Sequence, residues 1–119
     1  MSNDRGTVHV GAMRVELHLP GASSLKGKRA LLNKTKAALK RELECSVAEV
    51  GFQDLWQRAA LGVAVASSSA TGVDRVLDRV IAVIERDPRV VVTSAVSEAT
   101  SLDADVVDLP DGSPRGTSW

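Results

Sequence analysis

The sequence predicts one α+β domain, a ferredoxin-like βαββαβ sandwich in which two helices cover one face of a four-stranded antiparallel sheet. Segments that alternate with period two and segments with helical spacing follow one another in that order. The chain has 119 residues, of which 44% are hydrophobic, and this is enough for one core but not for two. We therefore expect a single domain.

The first strand and the first helix have the clearest patterns. Residues 8–19 alternate between apolar and polar side chains and end at Pro20-Gly21. Ser24 is the expected N-cap of a helix that runs to about residue 44. Four cations at helical spacing form what we call the basic stripe: Lys26, Arg29, Lys36 and Lys40. The apolar stripe beside it predicts which face packs on the sheet: Leu25, Leu32, Thr35, Leu39 and Leu43.

The second half of the chain repeats the alternation of strands and a helix. Residues 45–50 and 58–67 are the expected arms of a hairpin. A turn at residues 67–72 leads into a second amphipathic helix, which Asp87-Pro88 ends. Residues 89–98 contain the β-branched run of the fourth strand. Right-handed crossovers then predict that the first and third strands are central and the other two are edges.

This pattern divides the chain into three parts. Residues 1–7 are an expected flexible extension, residues 8–98 are the domain, and residues 99–119 are an expected mobile tail rich in Asp, Pro and Gly.

Composition excludes several classes of function. Lys plus Arg and Asp plus Glu both number 15, so no overall positive charge draws the chain to DNA or to a membrane surface. Cys45 is the only cysteine, which excludes an internal disulfide and a multi-cysteine metal site and suits a reducing cytoplasm. No apolar run is long enough for a membrane span. No catalytic, metal or cofactor motif is present, so we expect none of these sites.

The first candidate site is the basic start of the first helix. The positive end of a helix dipole disfavours cations, and an anion such as phosphate would turn this cost into a binding site. The predicted anion- or RNA-binding residues are Ser24, Lys26, Lys28, Arg29, Lys36 and Lys40. The alternative is an ordinary solvated face whose charge is balanced by the acidic tail or by nearby Glu residues.

The second candidate site is the connection inside the hairpin, where two of the three aromatic residues occur. Aromatic side chains mixed with Arg and Gln are typical of contact surfaces. The predicted partner contacts are Phe52, Gln53, Asp54, Trp56, Gln57 and Arg58. The alternative is that Phe52 and Trp56 cap the core while Asp54 closes the turn.

The outer face of the sheet lacks the aromatic side chains on which RNA-recognition sheets of this topology stack bases. Its expected outward residues on the two central strands are Arg14, Glu16, His18, Ala60, Gly62 and Ala64. We therefore expect no base stacking there. Such a face of small residues could instead receive another subunit or a partner helix.

Several segments resemble the YlxP-like bacterial family of unassigned function. They are Val15-Glu16-Leu17-His18-Leu19-Pro20-Gly21-Ala22, Ser24-Leu25-Lys26 with Lys28-Arg29, Val47-Ala48-Glu49-Val50, Gln53-Asp54-Leu55-Trp56-Gln57-Arg58-Ala59 and Leu61-Gly62-Val63-Ala64-Val65. The resemblance implies a ferredoxin-like fold and, through gene neighbourhood, a role at the small ribosomal subunit. Gly27 departs from the pattern, since a Glu is common there and would complete a capping box with Ser24.

These observations favour a noncatalytic protein that binds ribosomal RNA or a ribosome-bound factor during translation or ribosome maturation. The alternative from another class is a homo-oligomeric interaction module that does not bind RNA. An enzyme acting on a small anionic ligand ranks third, because no catalytic residue supports it.

Overall fold

A computed structural model describes residues 5–103 of the chain. It confirms the βαββαβ order. The elements are β1 (Thr7–His18), α1 (Leu25–Glu42), β2 (Ser46–Gly51), β3 (Arg58–Ser67), α2 (Ala70–Ile84) and β4 (Val91–Asp103).

The four strands form one antiparallel sheet in the order β2-β3-β1-β4, so the predicted central and edge strands are confirmed. β1 pairs with β3 from His9 opposite Ser67 to His18 opposite Arg58. On its other side, β1 pairs with β4 from Thr7 opposite Asp103 to His18 opposite Val91. This register places alternate residues of each strand on a face covered by helices and on an outer face.

The core lies between the sheet and the two helices. Its side chains are almost entirely aliphatic, because the chain has only three aromatic residues. The largest fully buried apolar side chains are Leu17, Leu19, Leu39, Leu61, Ile84, Val15, Val63, Val73, Val80 and Val90. These side chains come from both helices and from β1 and β3, so the apolar faces of all four elements pack into this one core.

Gly11 lies where α2 packs closely on the sheet. A Cβ at this position would lie 2.4 Å from Val73 Cγ1 and 2.9 Å from Leu77 Cδ1. Both distances are too short for carbon atoms in contact, so the absence of a side chain here lets α2 pack directly on β1. The alternation in β1 puts Gly11 on the same face as Met13 and Val15, but it does not show how closely a helix approaches that face.

α2 begins earlier than the sequence predicts. Ser69 is its N-cap, and the Ser69 hydroxyl accepts a hydrogen bond of 2.9 Å from the backbone N–H of Gly72. The serine-rich segment assigned to a turn therefore contains the cap and the first turn of the helix. Glycine in a first turn lowers helix propensity, which is why the pattern favoured a later start.

β4 extends five residues beyond the predicted domain boundary. Residues 99–103, assigned from sequence to a mobile tail, continue the strand because β1 begins at Thr7 and offers them a partner. Thr7 Oγ1 donates a hydrogen bond of 2.6 Å to Asp103 Oδ1 at the end of this pairing. Residue 7, assigned to the extension, is likewise part of β1, and residues 104–119 of the predicted tail lie outside the described residues.

Candidate nucleic-acid interface

Ser24 caps the first helix as predicted. Its hydroxyl oxygen accepts a hydrogen bond of 3.0 Å from the backbone N–H of Gly27. No acidic residue lies in the first turn of α1. The positive end of the helix dipole therefore adds to the charges of Lys26 and Arg29, whose side chains are exposed.

Lys28 does not belong to this exposed group, and its assignment to the anion-binding set is wrong. The residue is only 1% exposed, and its ammonium donates a hydrogen bond of 2.6 Å to the backbone carbonyl of Phe52. The ammonium also lies 3.2 Å from Glu49 Oε2. Burial of a charge without a partner is costly, so Lys28 is held inside by these two oxygen atoms and is not available to an external anion.

The hairpin connection, residues 52–57, is here called the aromatic loop. Phe52 has a φ of 57°, which is an uncommon left-handed conformation for a residue with a side chain. Lys28 stabilises this turn by donating a hydrogen bond to the Phe52 carbonyl. The Arg58 guanidinium lies 3.9 Å from the centre of the Phe52 ring, a cation–π contact.

Trp56 does not cap the core. It is 52% exposed and its neighbour Leu55 is 46% exposed. With His18 and Arg58, these residues line an open groove of about 680 Å³. The alternative in which both aromatic residues cap the core therefore does not hold for Trp56, whereas Phe52 is half-buried beneath Arg58. The sequence does not indicate that His18 lines this groove with Leu55 and Trp56, because the fold alone brings the end of β1 to the aromatic loop.

Two glutamines of the aromatic loop have structural roles. Gln57 Nε2 donates hydrogen bonds of 3.2 Å to the carbonyls of Pro20 and Ala22. Gln53 Nε2 donates a hydrogen bond of 3.3 Å to the carbonyl of Glu49. Gln57 thus ties the aromatic loop to the turn that precedes α1, while the buried lysine ties it to the first turn itself. The two candidate sites, which sequence reasoning treated separately, lie side by side.

The basic stripe runs along α1 away from this junction. Lys26, Arg29 and Lys40 are exposed and Lys36 is half-buried. None of the four forms an ion pair among residues 5–103. Glu42 is the only acidic residue of α1. At 1.5 Å per residue the stripe extends about 21 Å along the helix.

The two arginines of the outer sheet face differ from the basic stripe, because both pair with the same carboxylate. Glu16 accepts hydrogen bonds from Arg14 at 2.6 Å and from Arg58 at 3.1 Å. The Arg14 hydrogen bond lowers the pKa of Glu16, and Arg58 lowers it further. Both arginines of the outer face therefore have a carboxylate partner, whereas the basic stripe of α1 has none among residues 5–103.

The outer face is also less uniform than predicted. Ala60 is fully buried rather than open, and a Cβ on the neighbouring Gly51 would lie 3.2 Å from its Cβ. Val50 and Val96, which are 51% and 60% exposed, flank a shallow depression of about 400 Å³ around Gly62. No aromatic side chain lies on this face in the described part of β1 and β3.

Residues 5–103 contain neither a candidate metal site nor a candidate membrane-spanning helix. No group of three or more His, Cys, Asp and Glu side chains in that range could hold a metal ion. Cys45 is half-buried, and burial raises the pKa of its thiol. No helix of the described range is long and apolar enough to cross a membrane.

A known protein family matches most of the described domain. Residues 10–97 match the model of the family described as "Protein of unknown function (DUF503)". The chain belongs to this family. Within it, the chain is similar to the uncharacterized protein YlxP of Bacillus subtilis (strain 168), with 36% identity over 81 residues, which are 68% of this chain and 88% of that protein. The resemblance inferred from sequence segments is thereby confirmed, and no activity comes with it.

Two solved structures show distant likeness to this DUF503 protein. The de novo designed protein Foldit4 matches with a TM-score of 0.44 and 13% identity, over 80% of this chain and 96% of that one. A C-terminal segment of the alpha subunit of aIF2 from Pyrococcus abyssi matches with a TM-score of 0.38 and 16% identity, over 87% and 53% of the two chains. Similarities this low carry no argument about function.

Proposed function

We propose that this protein is a noncatalytic RNA-binding protein of the cytoplasm that contacts ribosomal RNA of the small subunit through the basic stripe. The observation that carries the proposal is the set of four cations on one helix that have no carboxylate partner among residues 5–103. RNA phosphates would pair with these cations. The counterions condensed on the RNA would then be released, which favours binding.

The aromatic loop supports the proposal as a second contact. Trp56 is half exposed and lies at the end of the molecule where the basic stripe begins. Single-stranded RNA is commonly held by a combination of cations along its backbone and an aromatic side chain on which an unpaired base stacks. The indole of Trp56 would take the base, and Lys26 and Arg29 would take adjacent phosphates.

Binding to purified small ribosomal subunits tests the proposal. In sedimentation at low salt, the native protein should pellet with the subunits, and the double substitution Lys26→Glu and Arg29→Glu should abolish this. The matched control is Arg75→Glu with Arg79→Glu on α2, which changes net charge equally on another helix. Absence of binding by the native protein, or equal weakening in both variants, would contradict the proposal.

Nuclease treatment identifies what the stripe touches. If RNA is the partner, digestion of accessible ribosomal RNA should release the protein from the particle. Retention after digestion would assign the surface to a ribosomal protein and would overturn the RNA proposal.

A further inference from the structure

β4 is an edge strand that the described part of the chain leaves largely uncovered. It is 13 residues long, and beyond Val92 every residue is exposed, on the helix side of the sheet as well as on the outer side. Val96 is 60% exposed and Leu102 is 62% exposed. Because β1 is its only neighbour in the sheet, the backbone groups that face away from β1 have no strand partner within residues 5–103.

The opposite edge of the sheet is protected, which makes β4 an exception within this molecule. β2 has six residues, and its pairing with β3 is interrupted by an irregularity between Glu49 and Gly51. Short and irregular edge strands resist pairing with other chains. β4 has a register shift only near its start, beside Glu16 and Leu17 of β1, and contains neither Pro nor Lys nor Arg. It therefore retains a long regular stretch, residues 94–103, that can accept another strand.

The sequence of β4 is suited to pairing with itself. Residues 94–100 read Ser-Ala-Val-Ser-Glu-Ala-Thr, which is nearly symmetric about Ser97. Ser97 is also the midpoint of the strand Val91–Asp103. An antiparallel copy centred on Ser97 would place Ala95 opposite Ala99 and Ser94 opposite Thr100, so that residues 94–100 of both strands pair regularly.

We infer that β4 is the interface through which two copies of this chain associate, joining their sheets into one eight-stranded antiparallel sheet about a two-fold axis at Ser97. This symmetry makes the contact isologous, so that each pairing away from the axis occurs twice, once on either side of it. The charges agree with the register, since Glu98 would face the partner's Val96. Like charges are not placed opposite one another.

The mass of the native chain in solution tests this inference. Sedimentation equilibrium at rising protein concentration should give a two-chain species. Ser97→Lys should convert it to a single-chain species, because two ammonium groups would meet at the axis. The matched control is Ser46→Lys, an exposed serine on the other edge strand, which should leave the dimer intact. A native chain that is monomeric at every concentration, or a dimer unaffected by Ser97→Lys, would overturn the inference.

Disulfide crosslinking tests the register. In a Cys45→Ala background, Ser97→Cys places two thiols directly opposite each other, within the Cα separation that a disulfide requires. Diamide, which accepts the two electrons and two protons of the thiols, should link the chains. Ser101→Cys lies on the same face of the strand as Ser97→Cys. The two introduced cysteines would, however, be about eight residues apart along the paired strands, or about 27 Å, and should not crosslink. Equal crosslinking of both variants, or of neither, would contradict the register.

Discussion

Lys28 shows how one buried side chain can hold a surface loop in place. Its ammonium is buried between the Phe52 carbonyl, at 2.6 Å, and Glu49 Oε2, at 3.2 Å. It thereby holds the left-handed turn at Phe52 against the first turn of α1. The position of Trp56 beside the basic stripe depends on this contact.

Removal of Lys28 should destabilise the protein, because the Phe52 carbonyl and the Glu49 carboxylate would lose their charged partner. We expect Lys28→Ala to lower the free energy of unfolding by roughly 1–3 kcal/mol in urea denaturation. The control is Lys26→Ala two residues earlier, which is exposed and should change stability by at most about 0.5 kcal/mol. Equal effects of the two substitutions would show that the buried contact contributes nothing.

Asp87 provides a test of the electrostatics by pH. Hydrogen bonds from Arg89, at 2.7 and 2.9 Å, lower the pKa of Asp87 from 3.8 to about 2. A lowered pKa means that the folded state binds the proton less tightly than the unfolded state. The stabilisation is therefore complete above the unfolded pKa and is lost as the pH falls through the folded pKa.

The stability difference between the native protein and Asp87→Asn should accordingly be larger at about pH 6 than at about pH 2. Urea denaturation at both pH values measures this difference, and an NMR titration of the Asp87 carboxyl checks the pKa directly. A difference that does not change with pH would contradict the role of the Arg89 pair.

Among the elements, α2 and β1 depend on a position without a side chain. Because a Cβ on Gly11 would overlap Val73 and Leu77, Gly11→Ala must move α2 or distort these side chains. Strain of this kind costs typically about 1–3 kcal/mol, which thermal or urea denaturation would register. Gly21→Ala is the control, since nothing lies within 4 Å of a Cβ there. If the control were as destabilising as Gly11→Ala, close packing would not be the cause.

The elements also show which features a sequence pattern can predict. Alternation predicted β1 and β3 well because one face of each strand is buried, and helical spacing predicted α1 for the same reason. The end of β4 was not predicted because both of its faces are exposed, so burial imposes no alternation on it. Its existence depends on the start of β1, which lies far away in sequence.

The sequence pattern also accounts for part of the candidate site. The basic stripe was predicted correctly as a helix face, but Lys28 was grouped with it on charge alone. Lys28 lies three residues after Leu25 and four before Leu32, so its spacing from the apolar stripe was a signal of its inward direction that the prediction did not use. The partners Glu49 and the Phe52 carbonyl were not predictable, because a distant turn brings them to α1.

On the scale of the whole molecule, a net charge of zero conceals an uneven distribution. Carboxylates pair with the cations of the outer sheet face and of the turn before β4, whereas the basic stripe forms no ion pair among residues 5–103. The proposed dimer would carry two such helices on one extended sheet. RNA binding would then be sensitive to salt although the chain as a whole is neutral.

The salt dependence of binding to purified small-subunit ribosomal RNA tests this account most directly. Fluorescence anisotropy would compare the native protein with a variant in which Lys26, Arg29, Lys36 and Lys40 are all changed to Gln. We expect the slope of log affinity against log salt to become shallower by roughly 0.7 for each phosphate of single-stranded RNA that the variant no longer neutralises. An Arg75→Gln, Arg79→Gln control should keep the native slope. Identical slopes for all three proteins would contradict the account.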